Sequence, residues 1–377
     1  MADALVTDAH SRAAVAGIRA LGGAGVPVIA VAARRGAAGL WSRYATERAL
    51  GPSPFEPDAF VARIAELTAR RGTTVVYPGQ EEAVGALIAR ARSLPANALL
   101  PYPGDPDAVQ ALRDKVRLAE LSARAGLGSP ALLAHGRAGD VLAAPPEAPC
   151  VLKPRDFSEA LPHALRCETA DELRDALSAL PEDEPVLVQE LASGPLVAVS
   201  VVLDRDGRVR AQFQQVARRL WPTAAGASSL GVSVAPDPEL IDRVAGLLRG
   251  AGYWGLAQVQ LLTTASGPAA IDVNPRFYGS LPLPTAAGVN LPLAWHEAAL
   301  GRPAGAVPAY RAGVTYRWLE GELTAAWNGE RERLRSRAPR PRAGAMWQAG
   351  DPAASAIMAA DAAAPRLRRL LPGRRRA

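Results

Sequence analysis

The chain has 377 residues, of which 49% are hydrophobic and 21% charged. This is apolar material for two or three compact units at roughly 150 residues each, with no apolar run near the roughly 20 residues that span a bilayer. The net charge of +6 is local: from Glu330 onward twelve arginines face four acids, which leaves −2 over the first 329 residues and argues against a nucleic-acid-binding body.

The start, Met1-Ala2-Asp3-Ala4, shows neither a basic nor an apolar leader segment, so a cytoplasmic protein without a membrane partner is expected. Over the first hundred residues short apolar runs at 4–7, 27–31, 74–77 and 99–100 read as strands, and 11–21, 58–70 and 81–91 read as helices. That alternation predicts a parallel sheet covered on both faces, an α/β domain over 1–105. The cluster Gly22-Gly23-Ala24-Gly25 follows a helix instead of a strand and reads as a helix stop, not a dinucleotide fingerprint.

A second unit begins near Pro106 with a helix over 107–125 and a Pro-rich linker at 145–149. Next come a strand at 150–153, a helix at 170–180 and a strand at 186–189; strands at 197–203 and 209–215 flank the turn signal Asp206-Gly207. A helix at 238–250 precedes a polar hairpin, and the chain beyond Arg302 is rich in Pro, Gly and Arg. Cys150 and Cys167 have no metal-ligand spacing, and four scattered histidines suggest neither zinc nor a Ser/His/Asp triad.

The hairpin carries the chemistry. Asp272 and Asn274 are two apart, so they share one side of a strand. If the hairpin is centred on Ser266, Gln260 lies opposite Asp272 and Gln258 opposite Asn274, converging oxygen ligands of the kind Mg²⁺ takes. A polar outer face of a two-stranded ribbon is the other reading. Arg276 shares the parity of Asp272, with a surface arginine as its alternative. Lys153 ends the apolar strand Cys150-Val151-Leu152 and needs an anionic partner, whereas Lys115, taken alone, reads as a solvated helix residue. Gln189 and Glu190 end another apolar strand.

In order, Asp114-Lys115, Val151-Leu152-Lys153-Pro154-Arg155, Val188-Gln189-Glu190-Leu191, Gly255-Leu256-Ala257-Gln258-Val259-Gln260 and Ile271-Asp272-Val273-Asn274-Pro275-Arg276 resemble the motifs of the ATP-grasp superfamily over residues 1–310. The last two look most like the synthetase halves of carbamoyl-phosphate synthase and related carboxylate-amine ligases. The resemblance implies an α/β (α+β) ATP-grasp fold: a Rossmann-like pre-ATP-grasp domain at 1–105, a small lobe at 106–185, a catalytic lobe at 186–310, a closing segment at 311–365 and a disordered Arg-rich tail at 366–377. It implies an ATP-dependent ligase joining a small-molecule carboxylate and an amine through an acyl phosphate, with Mg²⁺, or Mn²⁺, as metal; nucleic acid is not expected and a homodimer is left open. Lys115 and Lys153 would hold phosphates, Gln189, Glu190 and Leu191 the adenine, and Gln260, Asp272 and Asn274 the metal. Arg276, Lys153 and Arg219 would act on the reacting groups, Arg219 from a segment over 219–234 that binds the substrate carboxylate, covers it as a lid, or merely connects. Ser42-Arg43-Tyr44, Arg317-Trp318 and Asp351-Pro352 share the likeness.

Three departures matter. Residues 155–163 contain no glycine where relatives carry a phosphate-covering glycine-rich loop, so Arg155, Ser158 or His163 would substitute. Asp272 stands in place of the commoner Glu, and Pro195-Leu196-Val197 in place of an acidic ribose contact. The alternative function is therefore a catalytically weak or inactive nucleotide-binding or regulatory protein.

Overall fold

The computed structural model describes residues 2–161, 163–222, 226–332 and 343–370. Five parallel strands, β1 (Asp3–Val6), β2 (Val28–Ala32), β3 (Glu47–Leu50), β4 (Thr74–Tyr77) and β5 (Ala98–Leu99), form a sheet ordered β3-β2-β1-β4-β5. Period-two alternation splits β1 between two cores: Leu5 packs under α2 (Pro57–Ala69) and α3 (Glu81–Ala89), while Ala4 and Val6 join the core containing α1 (Arg12–Gly23). This is the expected Rossmann-like domain. Its strand order reverses between β1 and β4, where such sheets open a crevice at their carboxyl ends.

The helix expected over 107–125 is two helices, α4 (Pro106–Arg113) and α5 (Lys115–Arg124). Asp114 breaks it: its backbone is extended (φ −71°, ψ 110°), its side chain accepts from the amides of Val116 and Arg117, and its other oxygen accepts from Arg155 Nε at 2.9 Å. Hydrophobic periodicity does not register such a break, because the apolar face continues across it.

Next come β6 (Leu132–Arg137), α6 (Ala138–Ala143), β7 (Cys150–Pro154), β8 (Leu165–Cys167), α7 (Ala170–Ser178) and β9 (Pro185–Glu190), a four-stranded antiparallel sheet ordered β6-β9-β7-β8 with its own core. The expected domain boundary after 185 falls at the first residue of β9. The rest of the chain builds a seven-stranded sheet from β10 (Leu196–Leu203), β11 (Val209–Trp221), β12 (Ala227–Ser233), β13 (Gly255–Thr264), β14 (Gly267–Asn274), β15 (Thr315–Arg317) and β16 (Ala343–Gly344), ordered β14-β13-β10-β11-β12-β15-β16. The helices α8 (Pro238–Gly250), α9 (Pro282–Ala287) and α10 (Leu291–Ala299) share the apolar core of β10 and β13. The strand expected to stop at 215 runs on to Trp221 and pairs with β12, so 219–234 is mostly strand and not a loose connector; residues 223–225 lie outside the described residues.

The two large units share a rigid seam. Tyr77 of β4 stacks on Phe277 (5.3 Å, 18°), and Trp295 of α10 meets both rings edge-on. A Cβ at Gly17 of α1 would lie 2.4 Å from Phe277, so glycine lets the ring seat against the helix. The closing segment adds α11 (Leu319–Trp327) and α12 (Pro352–Leu370). Asp351, just before α12, is buried against α1: it pairs with Arg19 Nε at 2.8 Å and accepts from Ser42 Oγ and the Arg43 amide. This accounts physically for Ser42-Arg43 and Asp351-Pro352 as a pair. Helix α12 reaches Leu370, five residues into the expected tail, and 371–377 lie outside the described residues.

Candidate active site

The hairpin β13–β14 pairs Gln258 with Asn274 and Gln260 with Asp272, the expected register, but not for the expected reason. Thr264 pairs with Gly267, so the turn is centred between Ala265 and Ser266, and a bulge at Ile271 shifts the ladder back by one residue. Without the bulge Asp272 and Asn274 would meet different partners. A further ladder continues the polar face inward, with Ala198 of β10 opposite Gln260 and Ser200 opposite Gln258.

That face floors a cleft of about 1210 Å³ whose walls come from all three sheets. Lys153, at the end of β7, is enclosed, and burial pulls its ammonium down to about 8, with the carboxylate of Asp272 working against burial and the charge of Lys115 adding to it. Among the described residues no carboxylate forms an ion pair with Lys153, so Asp272 offsets its charge only at longer range and the ammonium is left unpaired at the cleft. Lys115 is the first residue of α5, and the helix break turns it inward: its Nζ lies 3.9 Å from Asp272 Oδ1 and 3.5 Å from the Asp156 carbonyl. The solvated-surface reading of Lys115 fails for that reason. Asn274 Nδ2 lies 3.4 Å from Asp272 Oδ2, so the two share one end of the face.

At the opposite wall Gln189, Glu190 and Leu191 line the cleft where β9 leaves the four-stranded sheet. Gln189 donates to the Pro130 carbonyl at 3.4 Å, and its buried Oε1 has no partner. Glu190 is bound to the same crossing: its amide donates to the Ala131 carbonyl and its Oε1 accepts from the Ala131 amide at 3.0 Å.

In the glycine-free segment Arg155 alone of the three expected substitutes is outside the cleft lining. Arg155 is held by Asp114 at 2.8 Å and Asp156 by Arg113 at 3.2 Å, while Ser158 and His163 line the cleft. Arg276 is likewise engaged, donating from Nε to Glu81 Oε2 at 2.7 Å, and the other oxygen of Glu81 takes Arg113. Burial pushes the Glu81 carboxyl up, but Arg276 and Arg113 outweigh it and hold it below its ordinary value. Glu81 opens α3 at the reversal point of the parallel sheet, so this network ties the crevice to the hairpin.

The structure thus brings Lys115, Lys153, Gln189, Glu190, Leu191, Gln260, Asp272, Asn274 and Arg276 to one cleft. It does not bring Arg219: its guanidinium pairs with the fully buried Glu322 of α11, which also accepts from Ser229 Oγ at 2.6 Å, and Arg219 is not among the lining residues. Alternation from Gln215 and Ala217 would put Arg219 in the wall as well, but the ladder shifts register on either side of Arg219, and Leu220 lines the cleft in its place. Sequence reasoning missed Arg12, Glu82, Arg113 and Gln215, all in the wall. For Arg12 and Glu82 a signal existed, since each stands at the start of a helix following a parallel strand on either side of the order reversal. For Gln215 and Arg113 none did.

A doubly wound sheet, a four-stranded antiparallel sheet and a larger, mostly antiparallel sheet that together close on a lysine-and-amide cleft define an ATP-grasp fold. Residues 182–322, the second half of the cleft, match a family described as ATP-grasp in the biosynthetic pathway with Ter operon. Similar solved structures include N5-carboxyaminoimidazole synthetase from Staphylococcus aureus (TM-score 0.66, 12% identity, covering 88% of this chain and 86% of that one). Biotin carboxylase from Campylobacter jejuni (0.62, 16%, 84% and 74%) and L-amino acid ligase from Bacillus licheniformis (0.57, 15%, 79% and 74%) are others. At these identities the likeness is one of fold. No curated protein matches the sequence.

Proposed function

We propose that the protein is an ATP-dependent carboxylate-amine ligase that activates a carboxylate as an acyl phosphate and releases ADP and phosphate as an amine attacks it. The observation that carries this reading is the convergence of Lys153 without an ion-pair partner, Lys115 and the Gln260–Asp272–Asn274 face with the Gln189–Leu191 edge in one cleft. The two ammonium groups would neutralise phosphate oxygens, and the unpartnered Gln189 Oε1 would accept from an adenine amino group. Two similar folds were solved with nucleotide, the C. jejuni biotin carboxylase with β-γ-ATP and a Hydrogenobacter thermophilus 2-oxoglutarate carboxylase domain with MgADP and bicarbonate.

The residues fit Mg²⁺ in one way. Among the described residues no group of three or more His, Cys, Asp or Glu is placed to hold a metal, so the ion would sit on Asp272 with amide oxygens of Asn274 and Gln260 and take its remaining ligands from phosphate, as Mg²⁺ commonly does. It would supply charge neutralisation between phosphates. The chain's own contribution is positional: Glu81 holds Arg276 beside the metal face, the aromatic seam fixes the crevice against the hairpin, and no protein nucleophile is required.

A second reading, nucleotide binding without turnover, draws on the commitment of Arg155 to Asp114, which removes one cation from a phosphate cover. ADP release over a panel of acids and amines separates the two. Turnover that Asp272→Asn abolishes while ADP still binds supports the ligase; ADP binding with no turnover across the panel supports the second reading.

A further inference from the structure

We propose that Arg12, Gln215 and Ser228 form the recognition subsite for the amine-bearing substrate, and that this substrate is a small amino carboxylate, an α-amino acid or the amino-acid end of a larger molecule. The inference rests on the ligase reading and deepens it. Arg12 opens α1, and its guanidinium carbon lies over the Trp318 ring, 3.6 Å from the ring centroid. Gly279 crowds it too: a Cβ there would come within 2.7 Å of Nε and Nη2. Trp318 is fixed in turn, its ring against Gly321 and its amide donating to the Ser229 carbonyl at 2.8 Å. The guanidinium is therefore packed against Trp318 and Gly279 before any ligand arrives. No carboxylate or carbonyl among the described residues accepts from it, and Nη1 is buried without a partner. A pre-set planar fork facing a cleft is the geometry that grips a carboxylate through two parallel hydrogen bonds.

The acceptor half sits one residue away. Gln215 is 3% exposed and donates to Ser280 Oγ at 2.9 Å, which fixes its amide and leaves Oε1 buried in the cleft wall without a donor. Ser228 Oγ has no partner either. Arg12 lies against Gly279 and Gln215 against Ser280, consecutive residues, so the cation and the Gln215 acceptor flank one dipeptide, and Ser228 lines the same cleft. Glu82 lines the same cleft, its carboxyl raised by burial with Asp8 nearby. Unsatisfied buried acceptors beside an unsatisfied cation ask for a ligand with both signs, and an ammonium next to a carboxylate supplies them. Gln258 Nε2, 3.5 Å from Ser280 Oγ and opposite Asn274, joins this subsite to the metal face, which sets the amine beside the reacting end of the cleft.

The test titrates the full chain, with MgADP present, against individual proteinogenic L-amino acids, each paired with its carboxamide and its deaminated acid. At least one amino acid is expected to bind, with both partners about tenfold weaker or worse because each leaves one half of the subsite unpaired. Arg12→Ala should weaken that amino acid about tenfold or more while MgADP affinity holds, with Arg12→Lys between. Should Arg12→Ala not fold, Gln215→Leu carries the test, through loss of the preference for the amino acid over its deaminated acid. The proposal is overturned if no amino acid binds, if the deaminated acid binds equally well, or if folded Arg12→Ala binds as the parent does. Failure of MgADP to bind would defeat the ligase reading separately, and an Arg12-dependent amino-acid signal without nucleotide would still uphold the subsite.

Discussion

Lys153 makes the sharpest test of the nucleotide site, because its burial ties phosphate binding to pH. Its ammonium titrates at about 8 instead of the ordinary 10.5, chiefly through burial. Between pH 7 and pH 9 such an amine falls from about nine-tenths to about one-tenth protonated, and only the ammonium form draws phosphate, so ADP should bind about tenfold more weakly at pH 9, about 1.4 kcal/mol. A lysine at its ordinary value would lose almost nothing over that range. The same group acts on stability in the opposite sense. Its folded value lies below its unfolded one, so the penalty of a buried ammonium is present below about 8 and is relieved as pH rises toward 10.5. Calorimetric titration of ADP at pH 7, 8 and 9, in buffers of differing ionisation enthalpy, should show falling affinity and proton uptake near pH 8. Lys153→Met should bind weakly and without slope. Flat affinity in the parent, or the same slope in the methionine variant, would refute the assignment.

Asp351→Ala leaves the Arg19 guanidinium, 7% exposed, without its carboxylate, and a loss of about 3–5 kcal/mol is expected in urea unfolding; a loss under about 1 kcal/mol would show that the closing segment is held elsewhere. Glu81→Gln releases Arg276 and Arg113 together, so turnover should fall by about tenfold or more with ADP affinity little changed. Because the Glu81 carboxyl is depressed in the fold, its stabilisation is present above 4.5 and lost as pH falls through its folded value; an acid unfolding limb as steep in Glu81→Gln as in the parent would contradict this. Gly17→Ala drives a methyl to 2.4 Å from Phe277, and thermal unfolding should register about 1–3 kcal/mol of overpacking, reduced by the better helix propensity of alanine.

Alternation with period two and turn chemistry are local properties, and they determined the parallel sheet, the polar hairpin and the order of the site's elements. The Gln258–Asn274 and Gln260–Asp272 pairs were legible too, although the turn lies half a residue from Ser266 and the bulge at Ile271 restores the pairing. What the tertiary structure decided was the partner of each charge. Asp114 reads as part of a helix until Arg155 arrives from another sheet to hold it as a break, and that break is what swings Lys115 toward Asp272. Nothing in the local sequence of Arg219, between Arg218 and Leu220, or of Arg12, between Ser11 and Ala13, says which one faces the cleft. One is drawn to Glu322 behind the sheet, the other is stacked on Trp318 and left open to the cleft. A guanidinium interacts over a few ångströms in space, and the acids and rings that claim it lie about a hundred to three hundred residues away, beyond anything that local periodicity can encode.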